Sequence, residues 1–165
     1  MANFNKIEIK ALKSFKDHEG MNIFKGNIYY KGKKLGFWCQ DYNGGICDNY
    51  DFDESILNEE VEKFKKSKYR EKKYAEYTTL DTILAFLVNL KADEKDYKKN
   101  IKNGFPITYI ITDNFHYGIM GMKTEKFMET KDFKKWKENT KKTFFKNSKI
   151  SEKIYKSLED FNISV

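Results

Sequence analysis

The chain has 165 residues, a length that suits one domain with a core of ordinary size. Charged residues make up 35% of it and aromatic residues 16%, too many rings for a disordered segment. A net charge of +7 favours anionic partners such as nucleic acid or an acidic protein surface, and two cysteines cannot make a disulfide framework.

The basic charge is almost entirely lysine, since Arg70 is the only arginine. Arginine supplies the planar fork that reads guanine and phosphate geometry, whereas lysine acts as a mobile point charge. Lysine bias of this kind also accompanies AT-rich genomes. The opening MANFNKIEIK lacks the apolar stretch of a signal peptide, and no apolar run is long enough to span a bilayer. These features point to a cytoplasmic protein with no membrane contact and reduced thiols.

In residues 6–15, Ile7, Ile9 and Ala11 alternate with Lys6, Glu8 and Lys10, the period of a half-buried strand. Charge and Gly20 break it. Residues 22–30, rich in Ile, Phe and Tyr, read as a second strand, and Lys31-Gly32-Lys33-Lys34 as a turn in which Gly32 takes positive φ. Residues 35–40 return as a third strand, with Leu35, Phe37 and Cys39 on one face and Gly36, Trp38 and Gln40 on the other. Residues 41–50 read as a loop around the tight turn Asn43-Gly44-Gly45.

A first helix is expected over residues 53–74, with Leu57, Val61 and Phe64 at helical spacing and Asp51 or Asp53 as its cap. Its second half, KFKKSKYREKK, is strongly basic. A second helix is expected over residues 79–100, opened by Thr78 and Asp81 as an approximate capping box and stopped by Gly104 and Pro106. Its stripe of Leu80, Ile83, Leu84, Leu87 and Val88, widened by Phe86 and Leu90, calls for burial across a sheet. Residues 106–113 and 116–123 read as paired strands about Asp113-Asn114. Helix resumes from Thr124, anchored by Phe127, Met128, Phe133 and Trp136, and a last short helix is expected over residues 151–161. The whole reads as one α+β domain over residues 1–165. Its antiparallel sheet combines the N-terminal meander with the hairpin of residues 107–122, and helices pack on one face.

The stretch Tyr29-Tyr30-Lys31-Gly32-Lys33-Lys34-Leu35-Gly36, followed by Gly44-Gly45 and Asn49-Tyr50, resembles a diffuse group of small uncharacterised proteins encoded by phages, plasmids and other mobile elements. Their pattern is x-Y-x-x-G-K-x-x-G, then a loop with G-G and N-x-Y, then an apolar helix, a lysine-rich stretch and a hairpin, as in residues 80–122. Asp41-Tyr42-Asn43 stands where that pattern has Gly-His, which removes a candidate histidine from the loop. The resemblance implies a genetic context more than a chemistry. Small proteins of mobile elements often act on host machinery, and inhibitors of CRISPR and other defences share this size and composition.

Several clusters offer chemistry. Cys39, Cys47, His18 and His116 have the ligand types of a zinc site but no Cys-x-x-Cys or His-x-x-x-His spacing, so no metal is expected. Asp41, Asp48, Asp51 and Asp53 could hold a divalent cation, but they lack a calcium-hand pattern and read better as a polar turn and helix cap. Gly44-Gly45 has no following Lys-Ser/Thr, so it is not a P-loop. Basic stretches over residues 63–73 and 131–146 interleave Phe64, Tyr69, Tyr74, Phe133, Trp136, Phe144 and Phe145, which suits single-stranded nucleic acid, though rings facing a core and lysines facing water give the same pattern. The hairpin itself carries Tyr29, Tyr30, Phe37, Trp38 and Tyr42, more rings than one small sheet face must bury.

The expected function is a non-enzymatic binding protein that occludes a host protein or ribonucleoprotein complex, a CRISPR effector first among them, with no catalytic residues and no cofactor. The partner-binding residues expected are Tyr29, Tyr30, Trp38 and Tyr42 in the hairpin, Lys65, Lys66 and Arg70 in the first helix, and Lys134 and Lys135 in the third. The alternatives are a direct nucleic-acid binder and a small hydrolase or transferase using the acidic Gly-Gly loop.

Overall fold

The computed structural model describes residues 1–17, 20, 22–42, 46–113, 116–145 and 149–165, with backbone alone at 41, 42, 46 and 47. The fold is α+β. It forms two compact units, residues 1–91 with 162–165, and residues 92–161. The long apolar helix Leu80–Lys102 (α2) runs from the first into the second. Among the described residues no helix is long and apolar enough to cross a membrane.

The first unit is built on a six-stranded sheet. Its strands are Asn3–Phe4 (β1), Ile7–Lys16 (β2), Asn22–Tyr30 (β3), Lys33–Tyr42 (β4), Ile46–Tyr50 (β5) and Asn162–Ile163 (β9). Their spatial order is β5-β4-β3-β2-β1-β9. All neighbours are antiparallel except β1 and β9, which are parallel. Two hairpins have two-residue turns with both residues at positive φ. One is Lys31 (51°) and Gly32 (81°), the other Asn5 (45°) and Lys6 (66°). This mirror-image turn matches the twist of the strands it joins.

The expected loop over residues 41–50 is largely strand. β5 pairs residue by residue with β4, from Trp38 opposite Tyr50 to Tyr42 opposite Ile46, and the Asn43-Gly44-Gly45 turn lies outside the described residues. The chain leaving β5 then folds back over β4. Asp51 N–H donates to Phe37 O at 3.1 Å, and the Asp51 carboxylate accepts from Phe37 N–H. Gly36 makes this possible, because a Cβ there would run into Asp51 and the Phe52 side chain.

The first helix is shorter than its basic sequence suggests. A 3-10 turn, Glu54–Leu57, is capped by the Asp53 carboxylate accepting from Ser55 N–H at 3.0 Å. It leads into Asn58–Lys66 (α1). Ser67 ends α1, its hydroxyl donating to Phe64 O at 2.7 Å and its backbone extended at ψ 163°. A serine that bonds the backbone of the preceding turn competes with the helix. Beyond it lies a second 3-10 segment, Lys72–Tyr77, with no buried residue. α2 starts one residue later than a Thr78 cap implies. Thr79 is the flanking residue, and its N–H donates to Thr82 Oγ1 at 3.2 Å. Thr78 accepts instead from Arg70 Nε, and Asp81 from the Tyr50 hydroxyl.

One face of the sheet is the core of this unit. Phe4, Ile7, Ile9, Ile28, Trp38, Leu57 and Phe64 are all buried. Phe4 meets Phe64 edge-on at 5.0 Å, and Phe86 of α2 stands 5.3 Å from Phe64 and 6.3 Å from Phe4. Glu60 is buried among these groups and accepts from Asn5 Nδ2 (2.7 Å), the Tyr30 hydroxyl (2.9 Å) and Lys63 Nζ (3.2 Å).

The second unit has its own antiparallel sheet, in the order β7-β6-β8: Tyr117–Met122 (β7), Ile107–Thr112 (β6) and Ser151–Tyr155 (β8). The hairpin of residues 107–122 therefore does not join the N-terminal meander. The helix expected over residues 151–161 is β8 followed by a 3-10 turn at Leu158–Phe161. Its alternation explains this. Lys153 and Tyr155 turn to one face, where both reach the buried Asp93, while Glu152 turns to the other.

Helices lie on both faces of this sheet rather than on one. On one side, Lys131–Phe144 (α3) covers a cluster of Ile107, Tyr109, Ile111, Met122, Phe133 and Phe145, joined by Trp136 and Phe127. A 3-10 turn, Glu125–Glu129, precedes α3, and Thr130 caps it by accepting from Phe133 N–H at 3.2 Å. Gly118 sits where a Cβ would meet Thr140 of α3 at 2.8 Å. On the other side lies the second half of α2, with Asn100 Nδ2 donating to Thr108 Oγ1 at 2.9 Å. Gly104, at φ 81°, closes that helix with Phe105 N–H donating to Asn100 O and Gly104 N–H to Ile101 O, the paired bonds of a Schellman end.

Candidate binding face

The strand register divides the ring-rich hairpin into two populations. Trp38 pairs with Gly26 and Tyr50, and Ile28 with Ile9 and Gly36, so these belong to the core face. Tyr29 pairs with Glu8, Asn27 with Lys10 and Phe37, and Cys39 with Lys25 and Asn49; these form the opposite face. None of this second set is buried. Phe37 is 38% exposed and Phe15, further along β2, 39%. Within this unit, α1 and the first half of α2 pack on the core side, through Phe64 and Phe86.

This outer face carries lysines between its rings. Lys13 lies opposite Lys25, and Lys34 opposite Tyr29. Lys10 Nζ stands 4.1 Å from the centre of the Tyr29 ring, and Lys25 Nζ 5.1 Å from that of Phe15. Glu8 shares the face and reaches Lys10 at 3.6 Å. The Cys39 thiol donates to Gln40 O at 3.2 Å. The arrangement is cationic and aromatic together, able to hold an anionic partner with flat groups.

The expected partner residues are distributed differently from the sequence reading. Tyr29 lies on the outer face. Tyr30 lies on the core face, hydrogen-bonded to Glu60. Trp38 is fully buried, its indole N–H donating to the Asp48 carboxylate, so it forms no part of an exposed patch. The Tyr42 side chain lies outside the description. Arg70 is bound to its own turn, with Nη2 to Tyr74 O at 2.7 Å and Nε to Thr78 Oγ1 at 2.9 Å. Lys66 is exposed; Lys65 is half-buried and pairs with Glu62 at 3.6 Å. Lys134 and Lys135 are exposed on α3, whose Phe133 is buried, so rings inward and lysines outward is the arrangement there. Phe37 belongs to the hairpin rings that the sequence offers but not to the contact residues expected from it. The signal that could have found it is the alternation itself, once Trp38 is assigned to the core.

The described carboxylates of the acidic stretch are engaged by the fold, and the Asp41 side chain lies outside the description. Asp48 accepts from Trp38, Asp51 from Phe37 N–H and Asp53 from Ser55 N–H. Burial raises the Asp48 carboxyl above its ordinary range, hydrogen bonds from Trp38 and Gln40 act against that, and the charge of Asp81 adds to it. Of the four residues with zinc-ligand chemistry, Cys39 belongs to the first unit and His116 to the second, where Asp113 accepts from its backbone N–H at 2.6 Å. His18 and the Cys47 side chain lie outside the description. Among the described residues no three His, Cys, Asp or Glu side chains gather as a metal site would require. Comparison with protein-family models, with curated proteins and with solved structures finds no match for this chain.

Proposed function

We propose that this protein is a non-enzymatic binding protein that occludes a host nucleic-acid-processing or defence complex, with an RNA-guided nuclease as the first target to test. The observation that carries the binding role is the outer face of the first sheet, where exposed Phe37 and half-buried Tyr29 stand among Lys10, Lys13, Lys25 and Lys34. A net charge of +7 draws the chain toward the anionic surfaces such complexes present. The defence context comes from the hairpin's resemblance to proteins of mobile elements.

The test is a cleavage assay with purified RNA-guided nucleases and a stoichiometric amount of this chain. Inhibition is expected, together with a complex that survives size-exclusion chromatography. Phe37→Ala should weaken inhibition by roughly tenfold, the scale of one well-placed interface ring. No inhibition and no complex across the nucleases and other defence complexes tried would remove the proposal.

A further inference from the structure

We propose that the outer face of the first sheet binds single-stranded nucleic acid, bases stacking on Phe37 and Tyr29 while Lys10, Lys13 and Lys25 take the phosphates. This rests on the binding role above and names the partner of the same face. Phe37 lies directly opposite Asn27, and Tyr29 is the next residue of β3 on that face. A bulge between Ile28 and Tyr29 shifts the register there, setting Tyr29 opposite Lys34, and the two rings stand on the same face on adjacent strands, where each can take a base of its own. Asn27 stands opposite Phe37, and exposed Asn49 opposite Cys39, both able to offer polar contacts at the base edges.

The cations are set for the same ligand. Lys10 and Lys25 already rest over rings of this face, those of Tyr29 and Phe15. A base that stacks on such a ring displaces the ammonium to the side, where the phosphate of the same nucleotide lies. Among the described residues, two carboxylates oppose this: Glu8, which Lys10 pairs with at 3.6 Å, and Asp51, which accepts from Phe37 N–H. A protein partner could use the rings. Rings interleaved with lysines on one sheet face, however, suit a flexible strand, whose bases stack while its phosphates meet cations. A duplex hides the faces of its bases, so single strands are favoured.

The probes are fluorescein-labelled twelve-residue oligodeoxythymidine and oligouridine, read by fluorescence polarisation with the full chain in 50 mM salt. Binding is expected, weakening about twentyfold between 50 and 200 mM salt for three phosphate contacts. Phe37→Ala should loosen binding by roughly tenfold at an unchanged salt slope, and Phe15→Ala by less. Lys25→Gln should reduce the slope by about one contact, while Lys102→Gln on α2 changes nothing. Circular dichroism checks the fold of each variant. The inference is overturned if no probe shifts in 50 mM salt, or if Lys134→Gln or Lys135→Gln abolishes binding while Phe37→Ala leaves it intact. A protein partner that survives nuclease digestion, with no probe shifted, overturns the inference and leaves the binding role standing. If neither partner nor probe binds, both fall.

Discussion

Phe37 and Trp38 are neighbours in the chain and opposites in environment. One is 38% exposed and the other fully buried, because successive side chains of a strand face opposite ways. The indole needs a partner for its N–H once buried, and Asp48, opposite Gln40 on the next strand, provides it. A residue of the opposite kind is Lys6. It holds positive φ in the β1–β2 turn with its side chain exposed, a conformation that costs a residue with a Cβ roughly 1–2 kcal/mol. Lys6→Gly would make the turn Asn-Gly, the pair this turn type prefers. Urea denaturation should show a gain of about 1 kcal/mol, part of the relief being offset by the larger entropy of glycine in the unfolded chain.

At the scale of elements, α2, β3 and the β6–β7 hairpin are legible in the sequence, since a long apolar stripe and alternating branched residues leave little choice. β5 is not, because Cys-Asp-Asn-Tyr has the composition of a loop and is held as a strand by its pairing with β4. β8 is hidden for the same reason. Ser-Glu-Lys-Ile-Tyr suits a helix as well as a strand, and what selects the strand is a set of partners far away in sequence. Glu152 accepts from Lys137 (2.7 Å) and from the Tyr109 hydroxyl, with Lys141 at 3.1 Å. Burial alone would raise its carboxyl, but these donors outweigh it and lower it to about 2. A carboxyl lowered on folding stabilises fully above its unfolded value, near 4.5, and loses that contribution as pH falls toward 2. Thermal melts between pH 5 and 2 should fall less steeply in Glu152→Gln than in the parent. The effect is modest, because the group is partly exposed and screened.

At the scale of the molecule, the face of the candidate site was half legible. The sequence showed the density of rings, and only the register showed which of them are spoken for by the core. The sheet that carries the site is also closed late in the chain. β9 completes its edge beside β1, with Asn5 N–H donating to Ile163 O at 2.8 Å and Val165 N–H to Asn5 Oδ1 at 2.9 Å. Asn3 and Asn162, hydrogen-bonded across that edge, are 159 residues apart. Closing so long a loop comes late in folding, so pulsed hydrogen exchange during refolding should find the Asn5 and Val165 amides protected after those of β2 and β3. Synthesis imposes the same order. At ordinary translation rates, about 10–30 seconds separate the emergence of β1 from that of its partner. For that interval a nascent chain carries an open strand edge, and a chaperone or a neighbouring copy has first access to it.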